Sequence, residues 1–253
     1  AKAGVAQMIP HSTNAKITQK GSEWVFRIPV SGRYYGGVNA KYVGENIGTK
    51  IAYICAADAA SVGDCANMEK QMRSRFGVDP AYRADVQEKE VDFRSHMQKI
   101  KSANVDGILV AALAETMARA LVQSYEAGIG EDVRRIGSSS ASNAPVPKIA
   151  GDAAKGVFFT AAYAAADDRP IAKLFNEMTR QRYGIHAPDH DFSQAYDLVR
   201  IMEMALKSTD LELSSSSLAA DRTAIRDAIA SVEGYEGLAS GPISFCAAPT
   251  PQC

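Results

Sequence analysis

Two apolar runs without polar alternation, each set between helical patterns, constrain this chain more than any other feature. They are residues 50–55, built around Ile51, Tyr53 and Ile54, and 108–113, built around Leu109 and Val110, while 133–136 reads as a further strand ending in Ile136. A strand wetted on one face alternates apolar and polar residues, whereas a strand dry on both faces does not, and that condition is met in parallel sheets covered by helices. The spacing between the runs supplies the helices. Residues 65–76 read as a helix ended by Gly77, 82–86 as a strand, and Asp92 as the N-cap of a helix that buries Phe93, Met97 and Ile100 at i, i+4 and i+7. A helix over 115–127, closed by Gly128, and a strand over 157–160 complete the pattern. The centre of the chain is therefore expected to be α/β, with a parallel sheet flanked by helices.

The ends read differently. Residues 5–9 and 24–28 look like strands, and 29–37, with Pro29, Gly32, Gly36 and Gly37, like a bend before a helix through Tyr42. Beyond residue 161 the pattern is mainly helical, over 171–183, 192–206 and 221–232, with 213–217 as a polar loop. Val199, Met202 and Leu206 share one stripe of the second helix and are expected in the core. The strand at 5–9 opens the chain with nothing before it to pair with, so its neighbours are expected upstream of Ala1. Ala1 to Val5 lack the order of a signal peptide, so any export signal is expected to be already removed.

Charge and cysteine content narrow the function classes. Lys and Arg number 28 against 29 Asp and Glu, without the basic excess that a phosphate-tracking surface needs, so nucleic acid is not an expected partner. No apolar run approaches the roughly 20 residues of a membrane-spanning helix. Cys55 and Cys65 lie ten apart and Cys246 and Cys253 seven apart. Two short-loop disulfides would suit an oxidising compartment, with four ordinary thiols as the alternative.

Catalytic constellations are weak. Gly44-Glu45-Asn46-Ile47-Gly48-Thr49-Lys50 has the wrong spacing for a phosphate loop and precedes a strand, so it reads as a helix-to-strand turn. Gly137-Ser138-Ser139-Ser140-Ala141 lacks the second glycine of a nucleophile elbow, which leaves a hydrolase using Ser139 as a minor alternative. Pro188 stands between His186 and His190 and prevents a shared helical zinc face, so both are expected as solvated loop residues, and no metal or cofactor is expected. What remains is a set of small polar residues where loops leave strands: Ser12 and Thr13, Ser61, and Ser138 to Ser140. In parallel α/β sheets that edge is where ligands bind. Helix caps and turns are the competing use of the same residues.

Several segments, in order, resemble one family. Gly4-Val5-Ala6-Gln7-Met8-Ile9-Pro10-His11-Ser12-Thr13-Asn14, Ile17-Thr18-Gln19-Lys20-Gly21, Trp24-Val25-Phe26-Arg27, Asp92-Phe93, Ile149-Ala150-Gly151-Asp152-Ala153-Ala154-Lys155-Gly156-Val157, Ala195-Tyr196-Asp197-Leu198-Val199-Arg200 and Gly241-Pro242-Ile243-Ser244-Phe245 resemble the Leu/Ile/Val-type periplasmic solute-binding proteins of ABC importers. The resemblance implies a two-lobed fold of parallel sheets flanked by helices, with 1–30 and 162–245 part of an incomplete first lobe, 31–161 the second, and 246–253 the start of a third crossing or a tail. It implies a non-enzymatic, periplasmic protein that captures a small organic acid or amino acid between its lobes, closes on a hinge and delivers the ligand to an ABC permease. A ligand sensor on the same fold is the alternative.

By position, the resemblance makes Ser12 and Thr13 the holders of a ligand carboxylate and Tyr196 a cleft-lining residue. Tyr35, Asp58, Ser61, Leu113, Ser139 and Ser140 line the opposite lobe. Ser139 stands where amino-acid binders carry the acid that pairs with the ligand ammonium, and Leu113 and Ala114 replace the usual tyrosines. Burying an ammonium without its carboxylate costs several kcal/mol. Either Asp58, Asp64 or Glu115 supplies the charge, or the ligand is an aliphatic or aromatic carboxylate without an ammonium.

Overall fold

The computed structural model describes residues 3–19, 21–239 and 241–245. The elements along it are β1 (Gln7–Ile9), α1 (Lys16–Gln19), β2 (Val25–Arg27), α2 (Gly32–Asn46), β3 (Ile51–Ala56), α3 (Ala59–Phe76), β4 (Tyr82–Val86), α4 (Arg94–Ala103), β5 (Gly107–Ala111), α5 (Ala114–Glu126), β6 (Arg134–Gly137), α6 (Pro145–Ala150), β7 (Phe158–Phe159), α7 (Pro170–Tyr183), α8 (His190–Lys207), α9 (Leu218–Ala230), β8 (Tyr235–Glu236) and β9 (Pro242–Ile243). The chain divides into two compact units, one made of residues 1–30 and 162–253 and the other of 31–161.

The 31–161 unit is a five-stranded parallel sheet in the order β4-β3-β5-β6-β7. All six residues of β3 are buried, and their side chains alternate between two cores. Ala52, Ile54 and Ala56 join Met97 and Ile100 of α4 and Met117 and Leu121 of α5. Ile51, Tyr53 and Cys55 join Ala40 and Val43 of α2 and Cys65, Met68 and Met72 of α3. Both sides of the strand are dry, which is why its sequence shows no polar alternation.

Several boundaries move from the sequence expectation for identifiable reasons. α3 begins at Ala59, six residues before Cys65, because Asp58 caps it: its Oδ1 accepts from the N–H groups of Ala60 at 3.1 Å and Ser61 at 2.9 Å. The glycine-rich segment is no bend but the first turns of α2. Glycine there costs about 1 kcal/mol per helical position, offset by close packing on α3. A Cβ at Gly36 would come within 2.6 Å of the Asn67 Cβ, and one at Gly44 within 2.2 Å of the Phe76 ring. The sequence pattern does not show α6 and its two flanking 3-10 turns, Ser139–Ser142 and Gly151–Ala154; each is four to six residues long, too short to display a period.

A disulfide joins Cys55, at the end of β3, to Cys65 on α3, with the Cα atoms 6.2 Å apart and both residues buried. The expected partners Cys246 and Cys253 lie outside the described residues.

In the other unit β1 and β2 form a parallel pair, with Met8 opposite Phe26, and β8 and β9 an antiparallel one. Strand β1 is shorter than the expected 5–9 and finds its partner in β2, later in the chain. The strongest anchor is polar. Asp197 of α8 is fully buried and accepts from the backbone N–H groups of Leu238 at 2.8 Å and Ala239 at 2.9 Å. The Arg169 guanidinium donates to the carbonyls of Gly237 and Leu238 at 3.0 and 2.6 Å, fixing the same segment from the other side.

Helix α8 corrects the sequence reading of its face. The inward residues are His190, Ser193, Gln194, Asp197, Ile201 and Ala205. Val199 and Leu206, expected in the core with Met202, are 62% and 42% exposed and line an open apolar groove with Leu198. The buried face is polar and small, so the apolar period follows the opposite one.

Two outcomes are expected in the full-length protein. Replacing Cys55 and Cys65 together by Ala should lower unfolding free energy by about 2–3 kcal/mol, the loop-closure value for ten residues; no change in denaturant midpoint would mean that the bridge constrains nothing. Asp197→Asn sets an amide N–H against a backbone N–H and should cost about 2–4 kcal/mol, and a loss below about 0.5 kcal/mol would refute the anchoring role.

Candidate functional site

In the 31–161 unit the chemistry gathers at the C-terminal edge of the sheet. Connections leaving β3 and β5 run to opposite faces, since α3 packs in one core and α5 in the other. Strand order reverses between those neighbours, and such a switch point is where open α/β sheets take ligands. Asp58 and Ser61 follow β3, Leu113 follows β5, and Ser138, Ser139 and Ser140 follow β6. The Ser138 hydroxyl donates to the Ala112 carbonyl at 3.3 Å and ties the β6 exit to the β5 exit.

These residues have unequal freedom to meet a ligand. Ser61 is buried in the first turn of α3, its N–H donating to Asp58. Tyr35 is buried within α2. Leu113 precedes α5 at its N-cap position and is 45% exposed. Ser139 and Ser140 are half-buried at the head of a 3-10 turn.

Of the three acids considered as partners for an ammonium, two act together. Asp58 spends Oδ1 on the α3 cap, while Oδ2 is buried and has no hydrogen-bond partner among the described residues. Asp64, six residues along α3, is pushed up to about 7 by burial and, to a smaller extent, by the Asp58 charge. Glu115 is exposed and lies 3.9 Å from Arg119.

The 1–30 and 162–253 unit holds the other set. After β1 the chain turns through His11, Ser12 and Thr13. The Ser12 hydroxyl accepts from the Asn14 N–H at 3.4 Å, and Asn14 Oδ1 accepts from the Lys16 N–H at 2.9 Å as α1 begins. The Arg27 guanidinium donates to the Thr13 carbonyl at 2.9 Å, which places a permanent cation beside the turn. Of the two half-buried residues, Thr13 is thus held from β2 and Ser12 from within the turn. Tyr196 is half-buried and packs on Phe175, ring centroids 5.3 Å apart, rather than on this turn.

Sequence reasoning missed two features here. His190 is no solvated loop residue: Asp189 caps α8 by accepting from Asp191 and Phe192, making His190 the first residue of the helix and burying it. Burial lowers its pKa, against the opposing charges of Asp191 and Asp189. His186 is exposed as expected. Gln194, one turn further on, is fully buried, and neither its Nε2 nor its Oε1 has a hydrogen-bond partner among the described residues. Only a tertiary arrangement identifies such a group, since glutamine gives no periodic signal. Among the described residues no group of three or more His, Cys, Asp or Glu is placed to hold a metal ion.

Comparison with known proteins places this geometry. A family model described as periplasmic binding protein matches residues 2–250. A leucine-, isoleucine-, valine-, threonine- and alanine-binding protein of Pseudomonas aeruginosa is 27% identical over 158 residues, 62% of this chain and 42% of its own length. The crystal structure of a leucine-binding protein from Thermotoga maritima superposes with a TM-score of 0.83 at 22% identity, covering 97% of this chain and 67% of that one. An ABC transporter solute-binding protein from R. palustris in complex with benzoate gives 0.82 at 17% identity, covering 96% and 64%. This chain spans less than half of the curated relative and about two thirds of those solved chains. With the family model matching nearly its whole length, the chain belongs to the periplasmic binding protein family.

Proposed function

We propose that the full-length protein is an extracytoplasmic solute-binding protein that reversibly captures a small organic acid or amino acid for uptake through an ABC permease, without making or breaking a bond. The observation that carries this reading is the sheet edge of the 31–161 unit, where residues after β3, β5 and β6 converge on a switch point. Ser12 and Thr13 take the carboxylate, Tyr196 lines the same unit, and Leu113, Ser139 and Ser140 meet the remainder of the ligand. Tyr35 and Ser61, both buried, act by holding α2 and α3 in place. The names of the relatives support a binding role, spanning branched-chain amino acids and benzoate. A buried disulfide supports an oxidising compartment, and among the described residues no helix is long and apolar enough to cross a membrane. The periplasm is the compartment we assign.

The Asp58–Asp64 pair decides between ligand classes. If the ligand carries an ammonium, Asp64 must ionise to meet it. Calorimetry with L-leucine should then show Asp64→Asn weakening binding at least about tenfold, the loss of a charge-assisted contact, with benzoate unaffected. Undiminished leucine binding in both Asp58→Asn and Asp64→Asn would refute the charge role, and recovery of a chemically altered ligand would refute the non-enzymatic one.

The same carboxyl gives a stability prediction. Asp64 holds its proton to about 7 when folded, against an ordinary value of 3.8. The folded state therefore binds more protons than the unfolded one between those values, and this contribution, complete at acid pH, is lost as pH rises through about 7. Asp64→Asn should flatten the ligand-free profile and melt a few degrees above wild type at about pH 8. Parallel profiles for the two proteins would show that the group titrates normally.

A further inference from the structure

His11 stands immediately before the Ser12–Thr13 turn and is tied to the start of α8. Its Nδ1 lies 3.2 Å from Asp191 Oδ1, and because a carboxylate only accepts, Nδ1 carries the proton. The neutral ring then presents Nε2 as a lone pair, while the imidazolium presents it as an N–H donor with a full charge. The His11 side chain is 52% exposed, so the ring as a whole is open to solvent and solutes. Behind Asp191 sits the buried His190, with Nε2 at 3.4 Å from the same Oδ1. Desolvation holds His190 toward its neutral form, which leaves the Asp191 charge to face His11. The charged and titratable groups that the described contacts place around the array include Asp191, Asp189 and His190 from α8 and its cap, and Arg27 from β2, whose guanidinium is bonded to the Thr13 carbonyl.

We propose that His11 is a specificity-determining residue of this site, an Asp191-held imidazole that turns from acceptor to cationic donor on protonation and so makes capture of a ligand carboxylate tighter as pH falls. The proposal rests on the reading of Ser12 and Thr13 as the carboxylate holders. Arg27 supplies the pH-independent part of the attraction and His11 the part that titrates. His190 and Asp191 are positioning residues: they set the tautomer and orientation of His11.

The test is calorimetric titration of the full-length protein with L-leucine and with benzoate between about pH 5.5 and about pH 8, the range of an imidazole. Asp64→Asn is the common background, because that carboxyl titrates in the same range. The Kd of the acid that binds should fall about tenfold toward the lower pH, the size of one charge-assisted contact. His11→Gln should still bind, with a flat profile, and Asp191→Asn should shrink the tightening as the ring loses the contact that orients it. A His11→Gln profile as steep as that of the background protein, or a flat background profile, overturns the role of His11 while leaving the carboxylate site intact. Failure of the protein with Asp64 intact to bind either acid at any pH instead refutes the reading of the Ser12–Thr13 turn, and the role of His11 falls with it.

Discussion

Strand β3 is dry on both faces, and the 31–161 unit depends on that condition. Alternate residues of one six-residue strand enter two separate cores, so helices must cover both sides of the sheet. Successive connections then leave neighbouring strands toward opposite faces, and the gap between their exits is a consequence of the winding. The Cys55–Cys65 bridge pins the exit of β3 to α3, and the nine residues between the two cysteines include Asp58, Ser61 and Asp64. The same burial that stabilises the sheet shapes the chemistry at its edge, because removing water from Asp64 is the larger reason for its raised pKa.

The second unit follows a different logic. Its sheets are two-stranded, and beside three small apolar clusters its segments are tied together by one charged hub. Asp197 closes on two backbone N–H groups, Arg169 on the carbonyls next to them, and Gly237 passes so close that a Cβ would stand 2.8 Å from the Asp197 carboxylate. Burying a carboxylate is costly unless its lone pairs are met. The backbone supplies that satisfaction, and the helix is oriented by it. Helix α8 therefore turns its polar side inward and leaves Val199 and Leu206 outside.

The candidate site was legible to different depths. The strand exits could be read directly, because apolar runs end where loops begin and small polar residues cluster there. The use of each residue could not. Asp58 was expected to offer charge to a ligand and serves first as the cap of α3, with one oxygen engaged and the other buried. Pro188 prevents His186 and His190 from sharing a helix face, but that constraint on the pair says nothing of the burial that a cap at Asp189 gives His190. The contact between His11 and Asp191 joins residues 180 apart in sequence, beyond the reach of any local pattern.

The sequence by itself determined the α/β class, the parallel winding of the central unit and the order of its strands and helices, because periodicity records which faces of an element lose water. It also carried the family resemblance, since ordered motifs survive where overall identity is low. Tertiary structure alone decided which face of α8 is buried, which carboxyls lose their solvent and which imidazole meets which acid. Those outcomes depend on the balance between desolvation and hydrogen bonding at particular positions, and that balance is set by distant segments that only the folded chain brings together.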